Sequence, residues 1–198
     1  MTKQTLINYS CVGEKFDLFL CKIEYFNGFN GYVMIKSDIK TILDNKYSFK
    51  NIETIEFDQN SQLKTIGKKS FYYSNINKIA IPPSVETIGK KAFSHCDNLK
   101  KVDFLEKSKL TIFPSKIFKD SNKKSLYIPS KIIELKKYWC KNTKYLDNIS
   151  VSPDNKKFTY YQNSFIIKDV GNYKNIVFTP RNIKFAFIPS NIRHISQC

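Results

Sequence analysis

The stretch Ile81-Pro82-Pro83-Ser84-Val85-Glu86-Thr87-Ile88-Gly89-Lys90-Lys91-Ala92-Phe93-Ser94-His95-Cys96 is one member of a series. Looser copies of its apolar spacing recur before and after it at intervals of roughly 23 residues. Such a series constrains the fold more than any local propensity. Each unit carries an apolar face that only a neighbouring copy can bury, so the copies must stack.

Units fall at about 30–51, 52–75, 76–98, 99–122 and 123–145, followed by a long unit at 146–182 and a partial one at 183–198. Their strand signatures run Ile52 to Phe57, Ile76 to Ile81, Leu99 to Phe104, Lys123 to Ile128 and Leu146 to Val151. A second apolar pair follows each of the complete units, as Leu63 and Ile66, Val85 and Ile88, Leu110 and Ile112, then Ile132 and Leu135. An aromatic anchor comes next, as Phe71, Phe93 and Phe118, with Tyr138 or Trp139 in the fifth unit. One short alternating strand and one return segment per period predict a leucine-rich-repeat solenoid, α/β or mainly β. Side chains alternate along each strand, so the stacked sheet turns outward Thr54 and Glu56, Lys78 and Ala80, Lys101 and Asp103, Ser125 and Tyr127, then Asn148 and Ser150.

The ends differ from the middle. Residues 1–29 do not fit the period and read as an amino-terminal cap over the first apolar face. The long unit inserts two apolar segments, Ser164 to Lys168 and Ile176 to Phe178, around a turn-rich stretch, which predicts a hairpin beside the stack. The period resumes at Phe187-Ile188-Pro189-Ser190-Asn191-Ile192-Arg193-His194-Ile195 and stops before an aromatic anchor. An array ending mid-unit exposes an edge, so end-to-end self-association is expected there.

The 76–98 motif, together with the long unit closing in Ile188-Pro189-Ser190-Asn191-Ile192, resembles the BspA-type leucine-rich repeats over roughly residues 30–198. That resemblance implies the solenoid fold and a surface or secreted protein that adheres to host matrix proteins or other cells. It implies no catalytic residue. The amino terminus points the other way, because Glu14, Lys15 and Asp17 interrupt any apolar leader, and by itself it predicts a cytoplasmic protein. No segment reaches the roughly 20 apolar residues of a membrane span.

Cys11, Cys21, Cys96, Cys140 and Cys198 are odd in number and lack Cys-x-x-Cys spacing, which argues against a zinc site or a closed disulfide framework and suits a reduced compartment. Cys96 reads as a small buried filler. The sequon matches at Asn8 and Asn148 carry no weight without an export signal. Gly67-Lys68-Lys69-Ser70 lacks the upstream glycine of a phosphate loop, so Gly67 and Gly89 read as tight-turn residues. His95 and His194 are the only histidines, and neither has a nucleophile and an acid nearby in sequence.

The expectation is therefore a non-enzymatic module without metal or cofactor. It binds a protein partner through the strand face, with Glu56, Lys78, Lys101, Asp103 and Tyr127 as contacts. A second reading follows from the net charge of +16, which rests almost wholly on lysine. Stacking would align Lys68, Lys69, Lys90, Lys91, Lys136 and Lys137 in a stripe on the outer side, where a polyanion such as a sulfated glycan or nucleic acid would bind. An intracellular scaffold is a third possibility.

Overall fold

The computed structural model describes residues 25–27, 31–105, 107–161, 165–170 and 173–196. Apart from Tyr25–Asn27, the expected cap at 1–29 lies outside them, as do Cys11, Cys21 and Cys198. Among the described residues every regular element is a strand: β1 (Tyr25–Asn27), β2 (Tyr32–Ile35), β3 (Thr41–Ile42), β4 (Thr54–Phe57), β5 (Thr65–Ile66), β6 (Lys78–Ile81), β7 (Thr87–Ile88), β8 (Lys101–Phe104), β9 (Ile112–Phe113), β10 (Ser125–Ile128), β11 (Glu134–Leu135), β12 (Asn148–Val151), β13 (Phe158–Tyr161), β14 (Phe165–Val170), β15 (Tyr173–Phe178) and β16 (Ile192–Ile195).

The repeats wind into a parallel β-solenoid whose coils have three sides, so the mainly β form of the expected architecture is the one adopted. The first side stacks β2, β4, β6 and β8 in parallel, with β1 antiparallel outside β2, and β10 and β12 form a further parallel pair. Partners across these ladders are 22 to 24 residues apart, as with Tyr32 and Thr54 or Thr54 and Lys78. Strand β6 shows why the sequence folds this way: Lys78 and Ala80 face solvent while Ile79 and Ile81 are buried. Pro82 and Pro129 follow β6 and β10 at the position where Asp58 N–H, after β4, and Ser152 N–H, after β12, donate to the neighbouring coil, a bond that proline cannot make.

The second side is built from two-residue strands, β3-β5-β7 and β9-β11, all parallel. Gly67 and Gly89 follow β5 and β7, and neither has a positive φ. Their role is close approach rather than the turn freedom expected from sequence. A Cβ on Gly67 would sit 2.6 Å from the Asp44 amide nitrogen, and one on Gly89 would run into the Lys68 backbone of the coil below.

The third side is a ladder of turns. Tyr47 N–H donates to Ser70 O at 2.7 Å, Phe71 N–H to Ala92 O at 2.9 Å, Phe93 N–H to Ile117 O at 3.0 Å and Phe118 N–H to Trp139 O at 3.0 Å. Two residues before and two after each buried anchor the backbone takes a positive φ, as at Lys69 and Tyr73 around Phe71, or Lys91 and His95 around Phe93. The anchors stack along the axis, with Tyr47–Phe71, Phe71–Phe93 and Phe93–Phe118 centroids 5.4, 5.2 and 5.9 Å apart. In the fifth coil Tyr138 and Asn142 are the positive-φ pair, so Cys140, not Tyr138 or Trp139, holds the anchor register. Trp139 occupies the position of Ile117, and its ring packs between Phe113 and Phe178.

Three further sequence readings meet the structure. The predicted hairpin is β14 and β15, antiparallel, widened by β13 on one side and by parallel β16 on the other. The resumed period forms its return strand, β16, and Phe185 and Phe187 are 93% and 80% exposed. Cys96 is a free, buried filler whose thiol burial pushes up to about 12. Cys140 is likewise buried.

Candidate interaction surfaces

Two surfaces emerge from these columns. On the first side, ladder register sets Thr54, Lys78 and Lys101 in one outward row, and pairs Met34 with Glu56 and Ala80 with Asp103 in the next. Between β4 and β6 only Thr54 and Lys78 are in register, whereas β2 with β4 and β6 with β8 each match over four residues. The two strands splay beyond that point, where Pro82 and Pro83 cannot donate to a ladder. The result is a groove of about 620 Å³ lined by β4, β6, Asp58 to Ser61, Pro82, Pro83, Asp103 and Leu105.

Of the residues expected on this face, Glu56, Lys78 and Asp103 converge in the groove. Lys101 reaches Asp103 at 2.9 Å from the rim. Tyr127 lies half-buried on β10, the strand beyond β8, and does not line the groove. The groove's charges are held in place: the Tyr32 hydroxyl donates to Glu56 at 2.9 Å, and Asp58 takes Lys36 at 3.6 Å. The bond to Glu56, followed by burial and the charges of Glu56 and Asp58, holds the Tyr32 hydroxyl above its ordinary pKa, so it remains a donor. Floor and walls thus present both signs over a small-residue base at Ala80.

The second surface is the turn side. Equivalent positions place Lys68, Lys90 and Lys137 in one column and Lys69, Lys91 and Lys116 in the next. Lys136 departs from the expected stripe, since it stands in the column of Gly67 and Gly89 and pairs with Glu134 at 2.7 Å. Lys91 is held below the ordinary lysine value, first by burial and then by the charges of Lys69, Lys116, Lys119 and Lys90. Lys69 and Lys91 both lie over the Tyr72 ring, at 5.2 and 6.0 Å.

Beside them runs an outer column that sequence reasoning missed: Phe49, Tyr73, His95, Asp120 and Asn142, each at the second positive φ of its coil. Phe49 stacks on Tyr73 at 5.3 Å and Tyr73 on His95 at 4.4 Å, and Tyr72 packs edge-on against all three. The available signal was a residue four places after the first positive-φ position, a spacing hidden because the types change from coil to coil. His95 Nε2 lies 3.2 Å from Asp120. Burial lowers the imidazole's pKa despite Asp120, so at neutral pH this is a carboxylate against a neutral ring. Asp120 also takes Lys119 and, at 2.7 Å, Asn142. Burial raises its pKa, and these partners more than offset that, leaving it below the usual value. Tyr73 covers the imidazole, and the pair ends a stack rather than facing a nucleophile. Among the described residues no group of three or more His, Cys, Asp or Glu side chains is placed to hold a metal, and no helix is long and apolar enough to cross a membrane.

Comparison with known proteins follows the same lines. A family model for the BspA type leucine-rich repeat region matches residues 40–166 in six copies. Comparison with curated proteins finds no match. Among solved structures, the pneumococcal vaccine antigen PcpA superposes with a TM-score of 0.78 at 26% identity, covering 84% of this chain and 41% of that one. A leucine-rich cell surface protein from Faecalibacterium prausnitzii A2-165 gives 0.61 at 16% identity, covering 81% and 49%. A leucine-rich repeat protein from Eubacterium ventriosum gives 0.58 at 18%, covering 84% and 51%. The latter two share the fold alone, and the chain spans about half the length, or less, of these structures.

Proposed function

The chain belongs to the BspA-type leucine-rich repeat family, and from that premise we propose a non-enzymatic interaction module that binds a protein partner through its strand face. The observation that carries this reading is the groove where β4 and β6 part, with Glu56, Lys78 and Asp103 around the small Ala80. A groove of mixed sign suits a protein segment that offers both charges. A uniform polyanion would be repelled there by Glu56, Asp58 and Asp103.

Tyr127 and Lys101 extend the contact surface across β8 and β10, and broad shallow recognition of this kind is what stacked repeats present. The partner class we infer is a host matrix or cell-surface protein, met outside the cell. Support comes from the family and from the cell-surface description of one structural neighbour.

The test is surface plasmon resonance of the chain over immobilised extracellular-matrix proteins, with Ala80→Arg, Lys101→Glu and Tyr127→Ala as variants. We expect binding to at least one matrix protein and a loss of about tenfold or more for Ala80→Arg, which fills the groove floor. Binding unchanged in all three variants, or no binding to any matrix protein, would overturn the reading. Labelling intact against permeabilised cells tests the location.

A further inference from the structure

The turn side carries a second surface, independent of the groove. We propose that the ridge formed by Lys69, Lys91 and Lys116 with Tyr72, Tyr73 and Phe49 binds a linear acidic polysaccharide laid along the solenoid axis.

Charge is the first argument. The three lysines stack in one column, and Lys90 and Lys119 stand close enough for their charges to act on Lys91. Asp44 accepts the Lys68 backbone amide, Asp120 is bonded to Lys119 and Asn142, and every charge that acts on Lys91 is a lysine. The ridge is therefore an uncompensated row of cations that repel one another, and an anionic chain relieves that repulsion.

Geometry is the second. Successive coils rise by about 4.8 Å, the spacing of parallel strands, so the column offers an ammonium at intervals that a chain of linked pyranoses can follow. The aromatic column beside it is stacked face to face, with Phe49 and Tyr73 inclined by 10° and Tyr73 and His95 by 8°. The ring faces point along the axis and their edges point outward. Ring edges carry the positive rim of the aromatic quadrupole and favour anions, and Tyr72 and Tyr73 add hydroxyls that can meet sugar oxygens. Phe49, 71% exposed, begins the column.

This arrangement distinguishes sugar from nucleic acid. Single-stranded nucleic acid gains its affinity by stacking bases on free aromatic faces, and between Phe49 and His95 those faces are already occupied by one another. Rigid phosphate clamping favours arginine, and the ridge contains only lysine.

The probe is immobilised heparin, titrated with the full chain at several salt concentrations, with free heparin, single-stranded DNA and neutral dextran as competitors. The decisive variant is Lys69→Asn with Lys91→Asn and Lys116→Asn. Asparagine tolerates a positive φ, and Asn45 already holds the same column in the first coil. We expect about a tenfold loss of affinity and a salt slope shallower by about one per lysine. Tyr72→Leu is expected to weaken binding severalfold at unchanged slope. Lys156→Asn with Lys157→Asn, which removes two exposed charges from a bend outside both surfaces, is expected to leave binding within about twofold. Should the triple variant melt early, Lys90→Gln with Lys119→Gln, at positions of ordinary φ, replaces it.

Binding equal to wild type in the ridge variant overturns the proposal. Equal loss in the Lys156 and Lys157 control also overturns it by assigning the effect to net charge, and stronger competition by DNA than by free heparin does so by assigning the ridge to nucleic acid. None of these outcomes touches the groove, whose variants are read on matrix proteins.

Discussion

The Lys123 ammonium lies 5.1 Å from the centre of the Phe118 ring, at a position that Ile52, Ile76, Leu99 and Leu146 fill in the other coils. All five residues are fully buried, and Lys123 Nζ has no hydrogen-bond partner. Burial first, then the nearby Lys101, lowers its pKa to about 7 against the pull of Asp103. The unfolded chain binds this proton up to the ordinary lysine value of 10.5. Stability should therefore rise with pH between about 7 and 10.5 and stay low below 7. Lys123→Leu is expected to stabilise the fold by about 1–3 kcal/mol near neutral pH and to flatten that dependence. Thermal melts from pH 6 to 10 check both, and a destabilised variant would refute the account.

Gly89→Ala should cost about 1–3 kcal/mol, because the added methyl meets the Lys68 backbone rather than a yielding side chain. Gly89→Asn separates close approach from turn freedom. Asparagine rescues a turn that needs positive φ, and here it should be worse than alanine when denaturation midpoints are compared.

Phe93→Ala removes the middle of the inner stack, between Phe71 and Phe118. A loss of about 3–5 kcal/mol is expected, and near-ultraviolet circular dichroism should lose signal beyond one aromatic ring's share, since both neighbours lose a face.

His95 predicts an acid effect of defined sign. Its imidazole pKa is below the ordinary 6.5, so the unfolded chain binds the proton more readily and stability falls as pH drops through and below that value. His95→Asn keeps the positive φ and should lose less stability between pH 7 and 5 than wild type. His95→Val should be less stable at every pH, because a β-branched residue resists a φ of 58°.

The solenoid was legible because its cause repeats: Ile79 and Ile81, or Val102 and Phe104, are buried by the alternation that marks them in sequence. Lys123 was legible in position but not in consequence, since a lysine opening a strand signature reads as surface until its column is known. The missed aromatic column has a different origin. Phe49, Tyr73 and His95 share no residue type, and backbone φ, not side-chain chemistry, brings them into line. Likewise, Cys140 in the anchor register could not be told from Trp139 one place earlier, because both are buried and only the inter-coil hydrogen bonds fix which one lies in the stack.

The splay between β4 and β6 changes what a substitution there can do. Where β2 meets β4 and β6 meets β8, an outward side chain faces a neighbour in register across the ladder, and its contacts are shared with it. Past Thr54 and Lys78 that support stops between β4 and β6, so Glu56 keeps only Met34 beside it and Ala80 only Asp103, and side chains facing the seam can diversify without meeting a partner across it. Recognition can drift at that seam while the coils above and below it stay locked.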